Sequence, residues 1–234
     1  MLKIMITTLM TLGALGAQPL PSEAHLQEQI KKYEFLTRDN PKDVEFWADL
    51  ADLYRQAEQW DKAIAADTQA VTRFPKYAVA FYGRGKAKVG KEDYKGSIDD
   101  FSAAIKLWES RGGLEMYLTL EQPSGEYIDC YRSRGVAQAH LNKYPEAVAD
   151  VSIAIKLRKD DPKLLYERGY LEEKAGRKNE AIPDYQRAGL LYADGFAKQE
   201  AQECIAHLDN LGAKAQADQI RLKLAPKTKK TDLP

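Results

Sequence analysis

Three arginines of this 234-residue chain stand in the same local setting, and each has the chemistry to hold an anion. Each is followed at once by glycine and, 16 positions later, by aspartate. A guanidinium offers a planar fork of N–H donors that binds a carboxylate or a phosphate through two bonds. Because a carboxylate recurs at the same distance each time, the pattern favours structural ion pairs, each worth about 0 to 1 kcal/mol if exposed. The pairs are Arg84 with Asp100, Arg134 with Asp150, and Arg168 with Asp184.

The three histidines form no catalytic or metal-binding pattern. His25, His140 and His207 lie in separate segments, and none has a cysteine or a carboxylate at the spacing of HExxH or CxxC. GxSxG, the Walker phosphate loop and GxGxxG do not occur either. The sequence therefore predicts no enzymatic activity, no metal and no cofactor, and each histidine is expected at the surface or packed in the fold.

Composition points to an ordered protein without a strong overall charge. Apolar residues make up 44% of the chain and charged residues 30%, while 35 basic residues balance 35 acidic ones. No overall field then attracts nucleic acid or an anionic membrane, so neither is an expected partner.

Residues 1–17 have the pattern of a secretory signal peptide. A short basic start precedes an apolar run from Ile4 to Ala17, which is shorter than the roughly 20 residues of a membrane helix. Gln18 stands where a lipoprotein signal would need cysteine. We expect an exported protein, periplasmic or extracellular, with no membrane insertion after the signal is removed. The alternative is an apolar start on a cytosolic protein.

The arginine settings belong to a unit that recurs along the chain. Arg134 and Arg168 are 34 residues apart, a period typical of stacked helical repeats. Each copy holds two amphipathic segments joined by a short polar turn, as expected for an antiparallel helix pair. In the second segments small residues fall seven positions apart, on one helical stripe. The copies are residues 44–77, 78–111, 128–161 and 162–195, and the stripe consists of Ala63, Ser97, Ala147 and Ala181 with Ala70, Ala104, Ala154 and Ala188.

This pattern resembles the tetratricopeptide repeat (TPR) family. The first segments carry a bulky residue followed four positions later by a small one: Trp47 and Ala51, Phe81 and Gly85, Tyr131 and Gly135, Leu165 and Gly169. Asp67 departs from the pattern because it occupies an aromatic position of the first copy. The resemblance implies an all-α fold, a right-handed superhelical solenoid of helix-turn-helix repeats.

The repeat register also predicts how the chain is divided. After the signal peptide we expect an N-terminal half-repeat helix and linker at 18–43, TPR repeats 1–2 at 44–111, an insertion at 112–127, TPR repeats 3–4 at 128–195, C-terminal capping helices at 196–225 and a disordered tail at 226–234.

In the family, the first helices of the repeats line a concave groove that receives peptides or partner helices. Alignment places twelve positions on this wall: Ala48, Asp52, Arg55, Tyr82, Lys86, Val89, Arg132, Val136, Ala139, Tyr166, Tyr170 and Glu173. Tyr82, Lys86, Arg132, Tyr166 and Tyr170 are the predicted partner-binding residues, because tyrosines give apolar contact with a hydroxyl and the cations can take a carboxylate. An extended or helical peptide with an acidic residue is the predicted partner. In the alternative, the tyrosines pack under the insertion or the cap.

One role of the family is excluded by the same alignment. Members that grip the C-terminal carboxylates of cytosolic chaperones resemble one another in a clamp of basic and amide residues. The matching places here hold Ala48, Asp52, Gly83, Asp129 and Ser133, so the clamp is absent.

The predicted function is that of an exported scaffold for protein–protein interaction, acting through the groove. The alternative is a structural or assembly subunit of an envelope complex, or a self-associating oligomer, that makes contact through the insertion at 112–127. The oligomeric state and the partner's identity are left open.

The two cysteines fall in first helices that are two repeats apart. Neighbouring helices pack about 8 to 10 Å apart, so Cys130 and Cys204 should lie beyond the roughly 7 Å limit for a disulfide. We expect two free, buried thiols.

Overall fold

The chain folds as a succession of α-helices, which confirms the predicted all-α class. The computed structural model describes residues 23–110 and 124–225, and within these ranges there are eleven helices and no strand. They are α1 (Glu23–Asp39), α2 (Val44–Gln56), α3 (Trp60–Arg73), α4 (Ala78–Gly90), α5 (Tyr94–Glu109), α6 (Gly125–His140), α7 (Tyr144–Leu157), α8 (Pro162–Lys174), α9 (Lys178–Asp194), α10 (Lys198–Asn210) and α11 (Lys214–Leu224).

Several predictions concern residues outside the described ranges. The signal peptide at 1–17, most of the insertion at 112–127 and the tail at 226–234 lie there. The last three residues of the predicted insertion, 125–127, belong to the first turn of α6.

The helices stack in the order in which they occur along the chain. Each helix packs against the next one, and the first helices of neighbouring repeats also touch, α2 with α4 and α4 with α6. At the C-terminal end α11 packs against both α10 and α9. Contacts that reach only to adjacent units are the defining feature of a solenoid, and the predicted TPR-type solenoid is confirmed.

Aspartate and serine side chains fix where four of the helices begin. Asp43 accepts a hydrogen bond from the Glu45 amide at 3.0 Å before α2, and Asp93 accepts one from the Gly96 amide at 2.9 Å before α5. Ser124 and Asp161 cap α6 and α8 in the same way. Each cap satisfies a backbone donor that the helix leaves unpaired, typically worth about 1 kcal/mol.

The small residues of the predicted stripe all lie in the core. Ala63, Ser97, Ala147 and Ala181 and the four alanines seven positions on are all 0% exposed. Gly85 on α4 leaves no room for a side chain, since an added Cβ would lie 2.6 Å from Cε1 of Phe101 on α5. Gly135 on α6 faces the stripe itself, and an added Cβ would lie 3.1 Å from the Ala147 carbonyl oxygen. The two helices of a repeat approach closely because the first has glycine where the second presents the Phe101 ring or the small stripe.

Each of the three arginines joins three helices. Arg134 on α6 donates through Nε and Nη2 to the two oxygens of Asp150 on α7, both at 2.7 Å. Its Nη1 donates to the Ser102 hydroxyl on α5 of the preceding repeat at 3.0 Å. Arg84 repeats this arrangement with Asp100 and Thr68, and Arg168 repeats it with Asp184 and Ser152. The recurring arginine is therefore a structural part, as predicted, and it connects helices within a repeat as well as between repeats.

Both cysteines are free and fully buried, as predicted. The Cys130 thiol contacts the Phe101 carbonyl oxygen at 3.5 Å. Burial raises the pKa of Cys204 to about 12 and also raises that of Cys130. Both side chains act as small apolar groups of the core.

Candidate functional site

A cavity of about 450 Å³ opens between the first helices of the four repeats. Helices α2, α4, α6 and α8 supply most of its lining, and α3, α5 and α7 add one residue each. The volume lies within the roughly 300–1,000 Å³ of typical ligand pockets. Nine of the positions aligned to the groove wall line it: Asp52, Arg55, Tyr82, Lys86, Val89, Arg132, Val136, Ala139 and Tyr170. The structure thus brings four of the five predicted partner-binding residues to one cavity.

Tyr82 lines the cavity and is fixed by aromatic residues of the core. Only 8% of its surface is exposed, and its ring packs 6.1 Å from that of Phe101 and 6.2 Å from that of Trp108. Burial, with the charge of Asp129 nearby, raises the pKa of its hydroxyl. A group held this way offers a partner a fixed aromatic surface and a neutral hydroxyl.

Lys86 lies one turn further along α4 and is exposed to the cavity. Its ammonium sits 5.3 Å above the Tyr82 ring, a distance suited to a cation–π contact. Desolvation by the surrounding walls, and then the charge of Arg55, lower the pKa of this group. Within the described part of the chain it makes no ion pair.

Arg132 is bound by the protein itself. The Nε of Arg132 donates to both carboxylate oxygens of Glu167 on α8 at 2.8 Å, and its Nη2 donates to one of them. Glu167 is only 6% exposed. Burial disfavours the charged guanidinium, but Glu167 outweighs this and raises the pKa of Arg132. Because its guanidinium is paired with Glu167, Arg132 lines the cavity without contributing an unpaired charge.

A second internal ion pair lies at the α2 end of the cavity. Arg55 donates to Asp67 on α3 at 2.7 Å and to Asp52 at 3.2 Å. Asp67 is 1% exposed, and burial raises the pKa of its carboxyl to about 7 against the opposing charge of Arg55. The pair fits because residue 83 is glycine: an added Cβ would lie 2.8 Å from Nη1 of Arg55 and 2.9 Å from Oδ1 of Asp67. The aspartate at an aromatic position of the repeat thus has a specific partner.

Tyr166 lies outside the cavity, in the core beneath the C-terminal helices. It is 6% exposed, and its hydroxyl is 3.2 Å from Nε2 of His207 on α10. His207 stacks on Tyr185, and its Nδ1 lies 2.9 Å from the Glu173 carboxylate, which also accepts the Tyr185 hydroxyl at 2.9 Å. This closed network holds α10 against α8 and α9. Tyr166 therefore takes the position that the alternative described, packed against the cap, whereas Tyr170 faces the cavity.

The cavity also contains residues that were not among the predicted binding set. Trp60, Gln56 and Glu167 were not singled out, and Asp129 and Ser133 were noted only as places where a chaperone clamp is missing. Asp129, Arg132, Ser133 and Val136 share one face of α6 by their spacing, so the signal was present in the sequence for Asp129 and Ser133. Trp60 starts a second helix, and nothing in its spacing indicates the cavity.

In residues 23–110 and 124–225 no three histidine, cysteine or acidic side chains come together as a metal-binding group. Within the same ranges no helix has both the length and the apolar character needed to cross a bilayer.

Helix pairs that stack in sequence around a cavity between their first helices define an α-helical repeat protein of the solenoid class. A family model described as "Tetratricopeptide repeat" matches residues 30–78 and 133–195. These residues of the chain belong to the tetratricopeptide repeat family.

Some known proteins resemble the chain in sequence or in structure. The chain is 30% identical over 100 residues to protein unc-45 homolog B of Mus musculus. The matched stretch covers 43% of this chain but only 9% of that protein. A crystal structure of MamA superposes with a TM-score of 0.60 at 19% identity, covering 78% of this chain and 93% of that one. YrrB, described as "a TPR protein with an unusual peptide-binding site", gives a TM-score of 0.54 at 19% identity, covering 81% and 97%. These two structural likenesses, at such low identity, concern the fold.

Proposed function

We propose that this chain is an exported, non-catalytic scaffold that binds a protein or peptide segment in the cavity between the first helices of its repeats. The TPR fold itself supports a role in protein–protein interaction. The observation that carries the proposal is the cavity of about 450 Å³ that spans four first helices. An elongated site of this kind suits a chain segment, which can contact several repeats in succession.

The groups in the cavity support a peptide as the bound form. Trp60, Tyr82 and Tyr170 present aromatic surface, and Lys86 is a cation with no carboxylate partner in the described part of the chain. Aromatic anchors beside a fixed charge are typical of peptide grooves. YrrB, whose fold is similar, is described as having a peptide-binding site, which favours the same class of partner.

The absence of catalysis is part of the proposal. The described residues hold no acid, base and nucleophile in mutual reach within the cavity: its aspartates, glutamate and arginines are either paired with one another or isolated. TPR proteins are in general scaffolds. The same balance of charges supports a partner other than nucleic acid, whose phosphates require a surplus of cations.

Export is supported by the signal-like pattern of residues 1–17. Expression of the full chain in a Gram-negative host, followed by fractionation and N-terminal sequencing, tests it. We expect periplasmic protein that begins near Gln18, and unprocessed protein in the cytoplasm would contradict export.

Selection from a displayed random dodecapeptide library tests binding. The immobilised full chain should enrich peptides that it no longer captures after Val136→Trp, which fills the cavity, or Tyr170→Ala, which removes an aromatic wall. Tyr82→Ala is a poor test because Tyr82 also packs against Phe101 and Trp108. Far-UV circular dichroism should be unchanged in both variants. Enrichment that is the same for the wild type and the filled cavity would reject the proposal.

A further inference from the structure

Some of the charged side chains that line the cavity have ion-pair partners and others do not. Six charged side chains contribute to the lining, and four of them have partners. Arg55 is paired with Asp52 and with buried Asp67, and Arg132 is paired with Glu167. Lys86 on α4 and Asp129 on α6 are the remaining two.

Neither of the remaining charges forms an ion pair inside the described part of the chain. Lys86 rests over the Tyr82 ring, and Asp129, which is half-buried, makes no hydrogen bond or ion pair there. Asp129 is near enough to act on Lys86 electrostatically, yet the two form no salt bridge, so they are more than 4.0 Å apart. A charge that is partly desolvated and unpaired is unfavourable, and a bound group of opposite charge relieves it.

The surface around these two charges is apolar. Tyr82, Val136 and Tyr170 lie in the same lining. A bound segment would therefore contact apolar side chains next to the two charges. Water is partly excluded there, which strengthens any charge pair that forms.

We infer that the segment bound in the cavity carries two opposite charges, an acidic side chain held by Lys86 and a basic side chain held by Asp129. This inference rests on the proposed function, and it narrows the partner from an acidic peptide to a peptide with an acid and a base close together. A nucleic acid or a polyanion does not fit, because Asp129 repels it.

The spacing of the two charges in the partner follows from helix packing. Neighbouring helices lie about 8–10 Å apart, and an extended chain advances about 3.3 Å per residue. The acid and the base should therefore be two to four positions apart in an extended segment.

A double-mutant cycle across the interface tests the inference. From the dodecapeptide selection on the full chain, the most enriched sequence is synthesised with a fluorescent label, together with two derivatives. In one derivative the acidic residue is replaced by glutamine, and in the other the basic residue is replaced by glutamine. Dissociation constants are measured by fluorescence polarisation for the wild type, Lys86→Gln and Asp129→Asn.

For the wild type we expect each derivative to bind at least about fivefold more weakly than the parent peptide. In Lys86→Gln the loss of the acid should no longer matter, and in Asp129→Asn the loss of the base should no longer matter. Lys95→Gln and Asp99→Asn, exposed residues on α5 outside the cavity lining, are matched controls and should leave all three constants unchanged.

The outcomes separate this inference from the proposed function. Peptides that depend on Val136 and Tyr170 but tolerate both glutamine derivatives would overturn the inference and leave the function intact. If both peptide charges contribute to binding, but the effect of the acid depends on Asp129 and that of the base on Lys86, the assignment of Lys86 and Asp129 is overturned. A selection that enriches no cavity-dependent peptide would overturn the function and, with it, the inference.

Discussion

The guanidinium of Arg132 on α6 holds the carboxylate of Glu167 on α8, with its Nε 2.8 Å from both oxygens. The two residues belong to neighbouring repeats, and both side chains are largely buried, 18% and 7% exposed. The pair thus forms part of the cavity wall, and the two charges neutralise each other. Its consequences for stability and binding differ from those of Lys86, the other predicted cation.

Replacement of Arg132 by alanine should destabilise the fold by about 3 kcal/mol, because it leaves the Glu167 carboxylate buried without its partner. Lys86→Ala, the control, should cost less than about 1 kcal/mol, since Lys86 has no ion pair in the described part of the chain and loses only its contact with the Tyr82 ring. Urea denaturation followed by circular dichroism measures both. Equal losses for the two variants would contradict this view of the cavity.

Arg134→Lys should cost about 1–2 kcal/mol, because a single ammonium cannot donate both to the two oxygens of Asp150 and to Ser102. The matched control is Arg187→Lys, whose ion pair with Asp160 is 60% and 55% exposed and should be worth almost nothing. Thermal and urea unfolding of the two variants provide the comparison. A neutral Arg134→Lys would show that the bridge between repeats carries no stability.

Gly83→Ala should destabilise the protein by more than about 1 kcal/mol although alanine is the better helix former. The added methyl group would displace the Arg55–Asp67 pair, whose atoms lie 2.8 and 2.9 Å from its position. Gly125→Ala, where the nearest atom is 3.9 Å away, should be neutral or stabilising. Urea unfolding distinguishes the two, and a stabilised Gly83→Ala variant would show that the pair can move aside at no cost.

Asp67 should make stability depend on pH near neutrality. Burial raises the pKa of its carboxyl from 3.8 to about 7, so the native state holds a proton more tightly than the unfolded chain does. The stability that this group contributes is present below pH 4 and is lost as the pH rises through 7. The unfolding free energy of the wild type minus that of Asp67→Asn should therefore fall by about 2 kcal/mol between pH 5 and pH 8.

Asp61→Asn is the control for this measurement, because Asp61 is 82% exposed in its ion pair with Lys91. Its difference from the wild type should stay constant over the same range. If the difference for Asp67→Asn instead increased with pH, the attraction of Arg55 would outweigh burial.

The two thiols should be inert in the folded protein. Burial raises the pKa of Cys204 to about 12 and raises that of Cys130 as well, so almost no thiolate is present at pH 8. A thiol reagent such as dithionitrobenzoate should react with both at least about 100-fold more slowly in buffer than in 8 M urea. Rapid labelling of one cysteine in buffer would indicate that its helix opens locally.

The fold was predictable because it is periodic, whereas the pairings in the cavity are not. Helix pairs, buried alanines and the Arg134–Asp150 bridge follow from residues that recur at a fixed spacing. Glu167 occurs at this position in only one copy, so its capture of Arg132 could not be read from the register. Tyr166 and Tyr170 share a face by spacing, yet the Tyr166 hydroxyl hydrogen-bonds His207, whereas the Tyr170 ring meets His207 only edge-on at 6.5 Å and also lines the cavity. This difference depends on how the cap packs.

The hydroxyl that each bridging arginine reaches always belongs to the preceding unit: Thr68 for Arg84, Ser102 for Arg134 and Ser152 for Arg168. Residues 128–161 carry both an arginine for the unit before them and a serine for the unit after them. Duplicating this segment in tandem would therefore keep an arginine–hydroxyl bridge at every junction, while Arg132 of the first copy would face a serine, Ser133, in place of Glu167.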